Sequence, residues 1–310
     1  MQQGIWFWVF FNAGVLALLA LDLLVFHRRA RAIKFREALI LSLFWIVLAA
    51  AFAVLVFYRA GSQKALEFTT GYLIEEALSA DNLFVFLVIF RFFKVEDELQ
   101  HKVLFWGIIG ALVTRGIFIV VGVSLLRRFE WIIYLFGAFL IYTGIRLFRE
   151  DEQDIHPESN PVLKFVRRFL RVTENYENGK FVTRRGVELW VTPLFFVLLA
   201  VETTDVLFAT DSIPAVLAVS HDPFIVYTSN VFAVLGLRSI YFALAGMMGV
   251  FHYLNEGLAV ILAFIGAKMV ISHYVTIPTG WALGVVAGIL IISVIASLVF
   301  PQKQSEKTAG

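Results

Sequence analysis

Two acidic motifs stand inside apolar stretches where an ordinary membrane span carries none. Glu202-Thr203-Thr204-Asp205 and Thr210-Asp211-Ser212-Ile213-Pro214 lie in the segment from about Leu189 to Val219. Glu75-Glu76-Ala77-Leu78-Ser79-Ala80-Asp81-Asn82 lies in an earlier segment. Laying Leu78–Asn82 over Phe208–Ser212 brings Glu75 onto Asp205, so both copies read acid, five residues, acid, then Asn or Ser. A charge at the bilayer centre costs about 2.5–3.5 kcal/mol on insertion scales, so such residues are functional candidates by default.

Glu75, Asp81, Glu202, Asp205 and Asp211, with Asn82 and Ser212, form an all-oxygen ligand set. Hard oxygen donors favour Mg²⁺, Ca²⁺ or Mn²⁺ over Zn²⁺ or Cu. The chain has no cysteine, which excludes disulfides, thiolate metal sites and iron–sulfur clusters. Its six histidines fall at or near segment ends, away from the motifs. No nucleophile–base pair, phosphate loop or haem ligand pair stands out, so neither an enzyme nor an organic cofactor is expected. The rival reading makes the acids structural partners of Arg115, Arg146, Arg238 and Lys268. With Asp22 and Glu76 included there are seven acids against those four bases, and a cation or protons would balance the excess.

Helical spacing sets what these residues can share. At 100° per residue Glu202 and Asp205 lie on one face, as do Glu75 and Asn82, whereas Asp205 and Asp211 diverge. Pro214 clashes with the carbonyl of Thr210 and removes one hydrogen bond. A break near 210–213 is therefore expected, turning Asp211 toward Asp205 and freeing carbonyls for a cation. The alternative for 211–214 is a helix N-cap followed by a first-turn proline. Glu76 points about 100° away from Glu75 and stays outside the ligand set. Asp22, one turn before His27-Arg28-Arg29, is either a partner of those arginines or a group at the inner mouth.

The elements that must position these groups are membrane spans. Mean hydropathy is +0.82, 60% of residues are hydrophobic and 16% are charged, against about a quarter in soluble domains. A net charge of +2 gives no reason to expect nucleic acid. Nine apolar segments can cross a hydrocarbon core about 30 Å thick: roughly 5–26, 38–58, 68–90, 102–126, 131–148, 189–219, 224–247, 257–275 and 280–299. The first lacks a basic leader and reads as a span rather than a cleaved signal. With the amino terminus outside, eighteen Lys and Arg fall in inside loops and four outside, which also puts the carboxyl terminus inside.

Segments three to five align with six to eight beyond the acidic motif. Gly110–Arg115 matches Ala233–Arg238, and Phe139–Arg146 matches Ile261–Lys268. Three spans reverse the direction of entry, so the expected fold is an all-α polytopic protein with an inverted 3+3 repeat and its site between the copies. The divisions are 1–67 (two helices and connections), 68–148 (first repeat), 149–188 (cytoplasmic loop), 189–275 (second repeat) and 276–310 (last helix and tail). The loop holds eight basic and eight acidic residues and reads as a plain linker. Its alternative is a basic amphipathic helix over 162–172, lying on the anionic inner leaflet.

The chain resembles the TerC family of integral membrane proteins, in particular its Alx-like branch. The resemblance rests on Gly71-Tyr72-Leu73-Ile74-Glu75, Asp81-Asn82-Leu83-Phe84-Val85, Glu202 through Asp205 and Asp211-Ser212-Ile213-Pro214-Ala215. It continues in Asp222-Pro223-Phe224-Ile225-Val226, Thr228-Ser229-Asn230 and Leu235-Gly236-Leu237-Arg238. It implies a bacterial inner-membrane transporter of the LysE-type superfamily, named for tellurite resistance and tied to Mn²⁺ efflux, with all five acids required. A lysine can occupy the place of Glu76 in Alx-like proteins, which agrees with leaving that residue aside. On this reading Arg115 and Arg238 hold the acids or displace the departing ion, and Asp22, Asn230 and Lys268 complete the supporting set. Protons are the candidate counter-ion, since clustered carboxylates in a low dielectric readily trade cations for protons. The alternatives are transport of Ca²⁺ or an organic cation, a non-transporting membrane partner in stress complexes, and a membrane enzyme or redox component, which the placement of the histidines disfavours.

Overall fold

The computed structural model describes residues 5–26, 35–129, 131–149, 161–185, 188–245, 253–272, 274–275 and 277–299; the side chains of Asp22 and Asp81 lie outside that description. Helices dominate: α1 (Ile5–Phe26), α2 (Phe35–Ala60), α3 (Ser62–Phe92), α4 (Asp97–Arg128), α5 (Ile132–Leu147), α6 (Pro161–Phe169), α7 (Pro193–Leu217), α8 (Pro223–Ala245), α9 (Leu254–Ile271) and α10 (Thr279–Val299). Strands β1 (Val182–Arg185) and β2 (Glu188–Val191) pair antiparallel between α6 and α7. Each apolar segment marked by composition is one helix, within a few residues. By length and composition α2, α4, α7, α8, α9 and α10 can each cross a membrane, and α1 and α5 are apolar over shorter stretches. The chain is a polytopic membrane protein. Although α3 carries Glu67, Glu75, Glu76 and Asp81, it packs at the centre, touching α2, α7, α8 and α10.

The helices pair in a crossed pattern. α3 packs on α8 and α4 on α7, while α5 and α9 form the most extensive contact. That last pair is close because its crossing points lack side chains. A Cβ at Gly144 would stand 2.6 Å from the Ala259 carbonyl oxygen, and one at Gly266 would stand 2.6 Å from that of Gly137. Small residues at such crossings let backbones approach and gain dispersion contacts where lipid supplies no hydrophobic drive.

Two expectations are corrected here. α7 does not break: it runs continuously through Pro214 to Leu217. Pro214 sits in the last turn, where only the bond to the Thr210 carbonyl is forfeited, and the Ala218 amide still bonds to the Pro214 carbonyl at 3.0 Å. The N-cap alternative at Asp211 fails for the same reason, since the helix begins at Pro193 behind Thr192. The segment read as a plain linker is also folded over its described part. Leu163 of α6 is buried in the core, α6 packs on α7, and Val172 bridges to Val191. Lys102 of α4 donates to the Gly179 carbonyl at 2.5 Å, and the Tyr176 hydroxyl donates to the Phe93 carbonyl. Burial, with Glu96 adding, pushes the Tyr176 phenol above its ordinary range. The result is a small cap fastened to the α3–α4 turn and the start of α7.

Candidate functional site

Four helices meet at Arg115. Its side chain, buried in α4, ion-pairs with the Glu75 carboxylate of α3. The same guanidinium reaches Asp205 of α7 twice, Nη2 to Oδ1 at 2.9 Å and Nε to Oδ2 at 3.4 Å. Its Nη1 also donates to Oδ1 of Asn230 on α8 at 3.2 Å. This fork geometry is what a planar guanidinium offers and an ammonium does not. Glu75 is 0% exposed and Asp205 4%. Ser79, one turn along α3, donates to Glu75 Oε1 at 3.4 Å.

Several polar atoms here are left over. Glu75 Oε2, Asn230 Nδ2 and Ser212 Oγ are buried without a hydrogen-bond partner. An orphaned buried polar atom costs about 1–3 kcal/mol, so the two beside Arg115, and Ser212 about 10 Å further along α7, each call for an ordered water or a ligand. Beside Asp205 lies a cavity of about 20 Å³, bounded by Phe86, Gly107, Ile108, Val201 and Arg238. That is room for one water-sized body. Arg238 is buried and faces the cavity that Asp205 also lines.

The remaining acids do not join this cluster. Glu202, half-buried, rests its carboxylate against Gly110 of α4, where any Cβ would overlap it. Asp211 accepts from Thr143 Oγ1 of α5 at 3.2 Å, with Arg146 in electrostatic range. With α7 unbroken, Asp205 and Asp211 stay about 9 Å apart along the axis and on different faces. Among the described residues no three His, Asp or Glu side chains stand close enough to hold a metal together. The acids of α7 thus stand at three heights, Glu202 against α4, Asp205 on Arg115 with Glu75, and Asp211 turned to another face toward α5. Asp81 and Asn82 lie on α3, and Asn82 is buried. Lys268 of α9 stands apart from the acids of the two motifs: its Nζ donates to the Ala218 carbonyl at 3.3 Å, where a cation suits the α7 terminus, with Glu67 in electrostatic range. Glu76 turns away toward Tyr72, Trp45 and Gly236, between α2 and α8. His101, a buried histidine at the start of α4, stacks on Phe242 with ring centroids 4.1 Å apart.

Sequence reasoning missed Thr143 as the partner of Asp211, and it missed a second acidic centre at the far end of α3. Glu67, 8% exposed, accepts from Ser220 Oγ at 2.5 Å, Lys64 Nζ at 2.8 Å and Gln63 Nε2 at 3.2 Å. Lys64 also reaches Asp222 at 3.6 Å, and Gln63 reaches Thr279 of α10 at 2.9 Å. His221 and Arg127 line the neighbouring cavity of about 500 Å³. The signal available was Gln63, Lys64 and Glu67 at i, i+1 and i+4 on one helix start. Nothing in the chain points from there to Ser220.

The sequence profile of the integral membrane protein TerC family matches residues 60–305. A Myxococcus xanthus protein named "Uncharacterized membrane protein STKORF319" is 49% identical over 292 residues, covering 94% of this chain and 92% of that one. An Escherichia coli K12 protein named "Putative membrane-bound redox modulator Alx" is 43% identical over 312 residues, covering 98% of this chain and 97% of its own. Its Salmonella typhi namesake is 46% identical over 299 residues, covering 93% and 92%. No solved structure matches. With four helices converging on one buried arginine and a family match running through all of them, the chain belongs to the TerC family of integral membrane proteins.

Proposed function

We propose that this protein exports a divalent cation, Mn²⁺, from the cytoplasm across the bacterial inner membrane, with protons as the counter-ion. The observation that carries the reading is the Glu75–Arg115–Asp205 cluster, whose Glu75 Oε2 has no partner. Two carboxylates from different helices share one guanidinium, so a cation entering the adjacent space would find negative charge already desolvated and positioned. The donors on offer are carboxylate, amide and hydroxyl oxygens, a set suited to Mn²⁺, with Ca²⁺ the closest competitor. Glu202 and Asp211 would hand the ion along α7 on either side, with Asp81, Asn82 and Ser212 adding donors and Arg238 driving release.

The architecture proposed with it is nine crossings, amino terminus outside and carboxyl terminus inside, with α3–α5 repeated in inverted form as α7–α9. Packing supports the repeat. Exchanging the copies turns the α3–α8 contact into the α7–α4 contact, and both exist. It also carries the Gly137–Gly266 crossing onto the Ala259–Gly144 crossing, which is present too. Self-complementary contacts of this kind are what a pseudo-two-fold axis produces.

A second reading, a non-transporting membrane partner, has one observation in its favour: the folded cap, which suits protein contacts. The redox role in the relatives' name would not run through thiols here, because the chain has none. The test is ⁵⁴Mn²⁺ uptake into inside-out vesicles, comparing wild type with Asp81→Asn and Asp211→Asn. Export requires uptake in wild type and its loss in both variants at equal membrane levels. No flux from well-inserted wild type overturns it, and Ca²⁺-selective flux replaces the ion. Dependence on an imposed pH gradient tests the counter-ion.

A further inference from the structure

α6 is not absorbed by the transport reading. Its sequence, Pro-Val-Leu-Lys-Phe-Val-Arg-Arg-Phe, continues Leu-Arg-Val with no acid. Leu163 is buried in the apolar core, and α6 packs on α7. The chain that leaves α6 pairs with Val191, two residues before α7 begins, through Arg171 and Thr173, which sets α6 near the start of a span, at the level of the membrane boundary. On the adjoining side Val162 is 40% exposed and Phe165 66%, three residues apart and so neighbours on the surface. Lys164, Arg167 and Arg168 are exposed around the rest of the helix. An apolar strip beside three cations, held at the level where acyl chains meet headgroups, has the chemistry of an interfacial helix. Long basic side chains can lay their stems along such a strip and keep their charges among phosphates.

We propose that α6 is a lipid-binding face: Val162 and Phe165 seat in the acyl boundary while Lys164, Arg167 and Arg168 bind anionic phospholipid headgroups. Because α6 belongs to a cap tied to the α3–α4 turn through Tyr176 and Lys102, bound lipid would anchor the inner ends of both helices. Charge complementarity favours lipid over a second copy of the chain, whose α6 would bring the same three cations.

The native absence of cysteine permits a single label on the full chain. Val162→Cys carrying a nitroxide would be reconstituted in phosphatidylglycerol-rich nanodiscs and in nanodiscs of phosphatidylcholine alone. Collision with a water-soluble nickel chelate reports exposure, and collision with oxygen reports depth. The expected result is a label shielded from nickel in the anionic discs, with accessibility rising roughly fivefold or more in phosphatidylcholine, or when Arg167→Gln and Arg168→Gln are added. A label open to nickel in the anionic discs overturns the proposal. So does equal depth in all three samples, or dipolar coupling between labels showing that a second copy covers the face. Elution as a single species confirms that the variants are folded, and no outcome depends on ion transport.

Discussion

Glu67 and Glu75 sit on the same face-rich helix eight residues apart, about 12 Å along its axis, and both are buried carboxylates. Their surroundings differ. Glu67 accepts from Gln63 through one oxygen and from Lys64 and Ser220 through the other, near the helix start, where the α7–α8 turn and α10 come together. Glu75 has Arg115 and Ser79 on one oxygen and nothing on the other, and its arginine is shared with Asp205. The first is a completed tie between elements. The second leaves Glu75 Oε2 without a hydrogen-bond partner among the described residues, the open valence that the proposed ion path would use.

The contrast can be broken from several sides. The largest effect should come from Arg115→Met, which leaves two buried carboxylates facing each other without their cation. Removing one partner of a buried pair typically costs about 3–5 kcal/mol, so thermal unfolding in detergent should show a collapse of stability. Next is overpacking at the α5–α9 crossing. Gly144→Val would drive side-chain atoms against the Ala259 carbonyl and should cost about 1–3 kcal/mol, read as a lower unfolding temperature. Glu67→Gln, which keeps an acceptor and loses the charge, should be milder, about 0.5–1.5 kcal/mol. Lys64 keeps Asp222, and Mn²⁺ flux should stay within about twofold if that centre is only a tie.

The smallest effect is one of pH. Burial holds the His221 imidazole below its ordinary range, with Lys268 and Lys64 acting the same way and Glu67 against them. A histidine kept neutral in the fold binds fewer protons there than in the unfolded chain, so stability rises with pH across that window. It should be full above about pH 6.5 and decline below it until the depressed folded value is passed. His221→Gln should flatten that slope in unfolding curves taken from neutral to mildly acidic pH. An unchanged slope would assign it to another group.

Much of this was legible before the structure. Apolar length located the helices, because hydrocarbon thickness leaves few alternatives for a chain this apolar. The acids at 75, 202, 205 and 211 announced themselves by cost. What the chain could not reveal was partnership. Arg115 was marked as internal, yet nothing in its neighbourhood says that it would hold Glu75 and Asp205 at once, since that depends on how α4 crosses α3 and α7. Pro214 misled because the disruption from a proline depends on how many turns follow it, and here the helix ends within one. Lys268 looked like a counter-charge for the acids by alignment with Arg146, but its helix brings it to the end of α7. The cap was harder to read, although a helix over 162–172 was one of the two readings: its cohesion comes from backbone and side-chain ties to α3, α4 and α7 and from scattered apolar residues such as Leu163, Val172 and Phe181, which form no span-length run.

The most direct test sets the two glutamates against each other. Mn²⁺ flux into proteoliposomes would be measured for wild type, Glu75→Gln and Glu67→Gln, each normalised to folded, inserted protein. The account predicts flux abolished by the change at Glu75 and largely kept by the change at Glu67. Equal flux in both variants, or loss at Glu67 with Glu75→Gln active, would contradict it and move the ion path away from Arg115.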